Sequence, residues 1–468
     1  MSRFVRALAL CLLVGGVLST GCQPSEPPLG EVVDTTGKDA GTTLPDAGST
    51  GQDSGTPADA GSTGQDAGMT LPDAGSPDAG PTVTVLARVE VHNRKPDVML
   101  LVDTSGSMTQ PINPSLAGCK QADGGVCGFD APCDTSRCPT RWSEVQGAMG
   151  SFLSQNPTLA RLGLVTFPDV SSGDVCGSSS SIRVGLPSAD DDATLGAKTS
   201  AVNTAIQDIP NHDPAGKNMP QGGTPTAASL QFLKSIPELQ TAEREDFVLL
   251  LTDGPPNCNP NHPTPYPSCQ CTLGVSFACE SSPYDRIGCL DDTASVKAIQ
   301  ELGSRGIRTI VVGFGSEVVA PSWSMTPYTL SVMANAGGFE YPCRFDNDCN
   351  VGNTPGTCDT STNRCKRQFY PASTGAQLAT VLQFVGGKLV KDPCLVRLER
   401  AWYLDPEDLQ VALDGQVVSA AGPDSWSLTE EGVRFTGSVC QKLQAATAAP
   451  VVVEVRALQG ATVGGTDG

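Results

Sequence analysis

The chain is poor in charge, aromatics and histidine. Charged residues make up 17% of its 468 residues and aromatics 5%. Histidine occurs at three scattered positions, His92, His212 and His262, with no His-Glu-x-x-His pair. That excludes the common helical zinc-hydrolase arrangement. Lys and Arg number 30 against 50 Asp and Glu, a formal net charge of −20. Phosphate contact needs clustered cations, so this balance argues against nucleic acid as a partner. There is no phosphate-binding glycine loop and no Gly-x-Ser-x-Gly nucleophile turn. Cys269-Gln270-Cys271 has no second pair at zinc-finger spacing. The one apolar run near the start, Ala7 to Val17, is too short to stay in a bilayer as a spanning helix.

Cysteine, glycine and proline are abundant instead, at 18, 51 and 37 residues. So many cysteines fit an oxidising compartment. Arg3 and Arg6 precede the Ala7 to Val17 run, the pattern of an export signal over residues 1–21. Leu18-Ser19-Thr20-Gly21-Cys22 resembles a bacterial lipobox, although Ser19 stands where that motif favours Leu. The resemblance implies cleavage before Cys22 and a diacylglycerol on its sulfur; a plain signal peptide cut elsewhere is the alternative. The expected product is exported to the cell envelope as an outer-membrane lipoprotein, surface-exposed, touching membrane only through its lipid. With Cys11 removed and Cys22 acylated, sixteen cysteines remain, an even number that fits eight disulfides.

Residues 22–82 read as a disordered linker. Asp39, Asp46, Asp53, Asp59, Asp66, Asp73 and Asp78 recur in Asp-Ala-Gly-like units with Ser, Thr, Gln and Pro between them. Nothing there can form a core. The aspartates also lack the alternating spacing that wraps one calcium ion.

From residue 83 the pattern becomes globular. Val98 to Val102, Arg161 to Phe167, Phe247 to Thr252 and Ile307 to Phe314 are apolar runs typical of strands covered on both faces. Helical patterns lie between and after them, at Trp142 to Leu153, Thr194 to Ile209, Pro225 to Ile236, Ala294 to Leu302 and Thr374 to Leu389. Thr224 is the expected N-cap of the helix starting at Pro225. Such alternation predicts an α/β domain over 83–390, a doubly wound and mainly parallel sheet. Three cysteine-bearing insertions interrupt it near 110–139, 255–290 and 341–366. The first and third hold even counts and could close on themselves; the second holds five, and Cys176 could pair with the fifth. Asp346-Asn347-Asp348 in the third reads as a disulfide-pinned turn rather than a calcium loop, and Asp190-Asp191-Asp192 as a helix start. Residues 391–459 read as a small β-rich module closed by Cys394 and Cys440, with a disordered tail over 460–468.

The chemistry gathers at strand ends. Asp103-Thr104-Ser105-Gly106-Ser107 follows the first buried run, Gly222-Gly223-Thr224 opens a helix, and Thr252-Asp253-Gly254 ends a later run. In open parallel sheets ligands bind where strands end. Together these segments resemble the von Willebrand factor A-type domain and its metal-ion-dependent adhesion site. Gly337-Gly338, Phe369-Tyr370 and the final helix extend the resemblance to about residues 96–390. The resemblance implies a divalent cation, Mg²⁺ or else Mn²⁺ or Ca²⁺, held by Asp103, Ser105, Ser107, Thr224 and Asp253. Hard oxygen ligands suit such ions. It further implies a protein partner whose Glu or Asp carboxylate completes the shell.

The sequence therefore predicts a metal-dependent binding or adhesion module at the cell surface and not an enzyme. A metal-assisted hydrolase, and a structural surface protein with a merely stabilising metal, are the alternatives. One departure from the family stands beside the site: about thirty cysteine-bearing residues separate Ser107 from the first helix.

Overall fold

A computed structural model describes residues 84–458 apart from breaks at 217, 241–243, 275, 316–317, 319–323, 340, 351–354, 390–391, 399–400, 402–403 and 448. The expected signal, the lipidation of Cys22, the linker and the C-terminal tail lie outside the described residues.

The chain runs β1 (Thr84–Val91), β2 (Asp97–Asp103), α1 (Arg141–Gln155), β3 (Arg161–Phe167), α2 (Asp192–Gln207), α3 (Thr226–Leu233) and β4 (Asp246–Thr252). Next come α4 (Tyr284–Ile287), α5 (Asp292–Gly303), β5 (Ile307–Phe314), α6 (Met325–Ala336), the short β6 (Cys358–Asp359) and β7 (Arg364–Cys365), β8 (Tyr370–Ala372) and α7 (Gly375–Leu389). Strands β3, β2, β4, β5 and β8 form one parallel sheet in that order. The apolar runs do not alternate because both faces are covered. Val98, Leu100 and Val102 pack in one core with Trp142 and Phe152 of α1, Ile206 of α2 and Leu382 of α7. Met99 and Leu101 pack in a second core with Leu230 of α3, Ile299 of α5 and Met333 of α6. Each such side chain, fully buried, contributes roughly 1.5–3 kcal/mol. Helix α1 starts at a capping box in which Thr140 and Ser143 exchange side-chain-to-backbone hydrogen bonds of 2.9 and 3.1 Å.

The remaining elements are β9 (Leu395–Arg397), β10 (Leu409–Leu413), β11 (Gln416–Val418), β12 (Trp426–Thr429), β13 (Gly432–Phe435), α8 (Gly437–Gln444) and β14 (Val451–Ala457). They build two antiparallel sheets, β1-β14-β10-β11 and β12-β13-β9, around Trp426, Val433, Phe435 and Val453. The module differs from the sequence reading in three ways. Strand β1, assigned above to the α/β domain, pairs with β14 from Thr84 opposite Ala457 to Val91 opposite Val451. Only Val91 of this strand is buried, and an edge position in an antiparallel sheet tolerates such exposure where the doubly covered parallel sheet does not. Residues Leu409 to Val418, whose composition reads as one strand, form a hairpin turned by Asp414 and Gly415 at φ 47° and 80°. Helix α8 was not expected in a β-rich segment. In the α/β part, α6 was also missed; Pro327 sits in its first turn, where a missing N–H costs nothing.

All eight disulfides join cysteines of the described residues. Cys119–Cys138 and Cys127–Cys133 close the first insertion on itself, and Cys343–Cys358 and Cys349–Cys365 close the third. Cys269–Cys289 and Cys271–Cys279 lie within the second, Cys258 takes Cys176, and Cys394 takes Cys440. The Asp346 turn is pinned as expected, with Asp346 accepting from Cys358 N at 2.8 Å and Asp348 from Arg344 N at 2.7 Å.

The end of the sheet opposite the site carries a buried ionic cluster. Asp97 starts β2 and Asp246 starts β4, side by side in register. Arg161 bonds Asp97 at 2.6 Å and Asp190 at 2.7 Å, and Arg244 bonds Asp190 at 2.6 Å. Of the three aspartates read as a helix start, Asp191 caps α2 through Thr194 N, whereas Asp190 bridges the two arginines. Asp246 has a buried Oδ1 with no hydrogen-bond partner. Burial, reinforced by the Asp97 charge, pushes its carboxyl up to about 7. A raised acid contributes stability that is full below its unfolded value and lost as pH rises through 7. Asp246→Asn is therefore expected to remove that slope and to stabilise the protein above pH 7 by roughly 1–3 kcal/mol, read from denaturant midpoints across pH 4–9.

Candidate metal centre

Asp103 is the last residue of β2, and Asp253 directly follows the last residue of β4, its neighbour in the sheet. The chain leaves β2 towards β3 on one side and returns to β4 on the other. The strand order thus reverses next to β2, which is where parallel sheets leave a crevice. Both carboxylates are fully buried.

Hydroxyls knit the two strand ends together. Asp103 Oδ1 accepts from Ser105 N at 2.8 Å, and Oδ2 accepts from Thr252 Oγ1 at 2.6 Å. Ser105 Oγ and Ser107 Oγ lie 2.9 Å apart, and Ser107 Oγ donates to Asp253 Oδ1 at 2.8 Å. Burial pushes the Asp103 carboxyl up to about 7, and the Asp253 charge adds to the rise. The hydrogen bonds from Thr252 and Ser105 work against it without offsetting it.

The third predicted segment approaches through its backbone. Gly106 N donates to Gly222 O at 2.9 Å, and Gln221 N to Thr104 O at 2.8 Å. Thr224 is buried, and Asn257 holds it by two bonds: Thr224 N donates to Asn257 Oδ1 at 2.7 Å, and Asn257 N to Thr224 O at 2.9 Å. The structure thus joins Asp103, Ser105, Ser107 and Asp253 in one hydrogen-bonded chain and sets Thr224 on the adjoining loop. The Thr224 hydroxyl takes no part in the chain, and it does not cap α3 as expected. That helix begins one residue later, at Thr226, with Pro225 in the cap position and no side-chain cap.

Two further contributors stand beside the site: Arg141, which the sequence reading missed, and the Cys176 pairing, which it had anticipated without its place at the site. Arg141, the first residue of α1, donates from Nη1 to Asp253 Oδ2 at 2.7 Å and is itself buried. Its lone positive charge partly balances two buried acids. No local pattern marks it, because 112 residues separate it from Asp253. The second is the Cys176–Cys258 disulfide behind Gly223, where an added Cβ would lie 2.4 Å from Cys258 Sγ. The first insertion is pinched at its base by the Pro111–Thr140 bridge and the Arg141 N to Gln110 O bond of 2.9 Å. Helix α1 therefore starts beside the Gly106–Thr109 turn despite the inserted residues.

The donor set is chemically suited to a hard divalent cation: two carboxylates and three hydroxyls, all oxygen, with no sulfur or imidazole. Among the described residues, the only groups of three or more His, Cys, Asp or Glu side chains close enough to share an ion are cysteines already joined in disulfides.

No family model and no curated protein matches the sequence. Solved structures match weakly. Proximal thread matrix protein 1 of the mussel byssus is 11% identical over 64% of this chain and 48% of its own, with a TM-score of 0.32. The pilus adhesin SpaC from Lactobacillus rhamnosus GG is 14% identical over 78% and 40%, with a TM-score of 0.35. A von Willebrand factor type A protein from Catenulispora acidiphila is 12% identical over 82% and 67%, with a TM-score of 0.32. The chain spans about half or less of the first two of these proteins. At such scores the likeness decides nothing about function.

Gly222 tests the loop geometry. Its φ is +82°, and an added Cβ would lie 2.4 Å from Val175 O. Gly222→Ala is expected to destabilise the protein by roughly 1–3 kcal/mol, read as a lower thermal midpoint.

Proposed function

We propose that this chain is an exported surface protein that captures a protein partner through a divalent cation and carries out no catalysis. On this reading the sheet is a doubly wound von Willebrand factor A-type domain. Asp103, Ser105, Ser107, Thr224 and Asp253 hold Mg²⁺, with Mn²⁺ or Ca²⁺ as weaker substitutes. A Glu or Asp from the partner fills the remaining position, and a lipid on Cys22 tethers the chain to the envelope.

One observation carries the reading: two fully buried carboxylates at neighbouring strand ends, tied together by two serine hydroxyls. Buried acids this close are costly without a compensating cation. Arg141 supplies one positive charge, and a divalent ion would discharge the remainder. The Arg141 contact bears on how Asp253 would serve. With Oδ1 taken by Ser107 and Oδ2 by Arg141, Asp253 can meet an ion by releasing one partner or through a bridging water.

Titration calorimetry of the full chain with Mn²⁺ tests the site. Wild type is expected to bind one ion, and Asp103→Ala to lose at least tenfold in affinity. Arg141→Gln is expected to bind the ion more tightly, because a competing positive charge is gone. No heat with wild type, or wild-type affinity in Asp103→Ala, overturns the metal reading. Mg²⁺-dependent capture of partners, abolished by chelator and by Asp103→Ala, separates a binding module from a protein whose metal only stabilises the fold.

A further inference from the structure

The antiparallel module leaves one long strand edge open among the described residues. Strand β1 is outermost in the sheet β1-β14-β10-β11 and pairs with β14 alone. It is 8 residues long, whereas β11, at the other edge of that sheet, has 3. In the parallel sheet, the outer side of β3 is covered at Leu164 by a bridge to Val184. An open edge is a template for a further strand, and proteins blunt such edges with Pro, Lys, bulges or short length. Strand β1 has no Pro and no Lys. Its one bulge lies between Val85 and Ala87, which leaves residues 87–91 regular.

Strand β14 fixes which backbone groups of β1 face outwards. Val452 O accepts from Asp414 N at 2.8 Å, and Val452 N donates to Asp414 Oδ1 at 2.9 Å. Leu458 N donates to Asp408 O at 2.8 Å. Even-numbered residues of β14 therefore bond towards β10, and odd-numbered ones towards β1. Val89 stands opposite Val453 and Val91 opposite Val451, so their N–H and C=O groups are taken by β14. Arg88 and Glu90 alternate with them and turn both backbone groups outwards. Both residues are exposed, and a spacing of two puts their side chains on the same face.

These two residues select the occupant and its register. A second copy laid antiparallel along β1 can keep the core side of both sheets on one face only if residues of equal parity stand opposite each other. Centring the pair on Arg88 or on Glu90 sets like charges against each other. Centring it on Ala87 meets the bulge. Centring it on Val89 puts Arg88 of each copy opposite Glu90 of the other, twice over by symmetry. The same register sets the outward backbone groups of Arg88 against those of Glu90, as a hydrogen-bonded antiparallel pair requires. Charge and backbone pattern thus agree on one arrangement.

We propose that β1 is a homodimerisation edge, along which two copies of this chain pair antiparallel about Val89 and join their four-stranded sheets into one. Val89, 38% exposed in the single chain, meets its own counterpart on the two-fold axis and is covered. Arg88 reaches Glu454 of its own chain at 3.3 Å, and in the dimer it lies between that acid and Glu90 of the second copy. The short β11 edge offers no comparable length, so the pairing closes on itself and does not propagate.

Sedimentation equilibrium of the full chain tests the proposal, with Cys22→Ser in every sample so that no lipid drives association. The otherwise unaltered chain is expected to form particles of twice the chain mass. Glu90→Arg and Arg88→Glu are each expected to raise the dissociation constant about tenfold or more, the scale of turning two opposite-charge pairs into like-charge pairs. Mixed one to one, these two variants place an acid opposite an arginine at both positions, and association is expected to return as a heterodimer. Should Arg88→Glu fail to fold beside Glu454, Arg88→Glu with Glu454→Gln replaces it in the mixture. The edge does not involve the cation, so chelator is expected to leave the dimer intact. A monomer at every concentration overturns the proposal, as do a dimer indifferent to both charge reversals and reversals that the mixture does not rescue. Loss of the dimer on adding chelator also overturns it, because association would then run through the cation.

Discussion

The structure turns on the close approach of two acids at the ends of adjacent parallel strands. Asp103 closes β2 and Asp253 follows β4, strands paired in register up to Val102 and Leu251, and Ser105 and Ser107 link the two carboxylates. Water does not reach them to dissipate the charge. Every neighbouring polar group is arranged in answer: Thr252 and the Ser105 amide on Asp103, the serine pair between the acids, and Arg141 on Asp253. Even so, the Asp103 carboxyl stays well above its ordinary range. A fold built only for stability would place apolar or neutral residues at these positions, so the arrangement is retained at a cost in stability.

The disulfides act on this centre at one remove. The sheet has a core on each face, and the first of them includes the four bonded cysteines of the third insertion. Most of the cross-links lie in the three insertions between the elements of the parallel sheet. Cys176–Cys258 ties the loop after β3 to the loop after β4, behind the glycine segment that carries Thr224. The two bridges of the first insertion hold a surface loop beside the serine turn. Loops constrained in this way can present side chains to solvent without collapsing onto the domain.

The two ends of the sheet solve the same problem differently. At the far end, Asp97 and Asp246 meet in the same pair of strands, but Arg161 and Arg244 bridge Asp97 and Asp190 there as an internal set of counter-charges. At the site end Arg141 bonds Asp253, and among the described residues serine and threonine hydroxyls make the other side-chain bonds to the two acids. Hydroxyls can accept as well as donate, so they can turn their lone pairs towards an ion, which guanidinium groups cannot. That contrast within one sheet is why the proposed cation is assigned to this end and not to the other.

Much of this was legible in the residues themselves. Unbroken apolar runs such as Val98 to Val102 can only be strands covered on both faces, and acids directly after them must emerge at strand ends. Even cysteine counts in the first and third insertions, and the odd fifth cysteine of the second beside the lone Cys176, constrained the pairing. Local sequence could not show that Arg141 would reach Asp253, because the contact spans 112 residues and depends on α1 crossing back over the sheet. Nor could it show that Thr224 would be held by Asn257 instead of capping a helix, or that Phe129 would come to rest against Gly106. Strand β1 reads as any alternating strand, and only β14, more than 350 residues later, supplies its partner. Periodicity and residue type are local properties and settle which faces are buried and where charge must surface. Which distant side chains meet depends on how helices and loops close over those strands, and that is decided only when the whole chain packs.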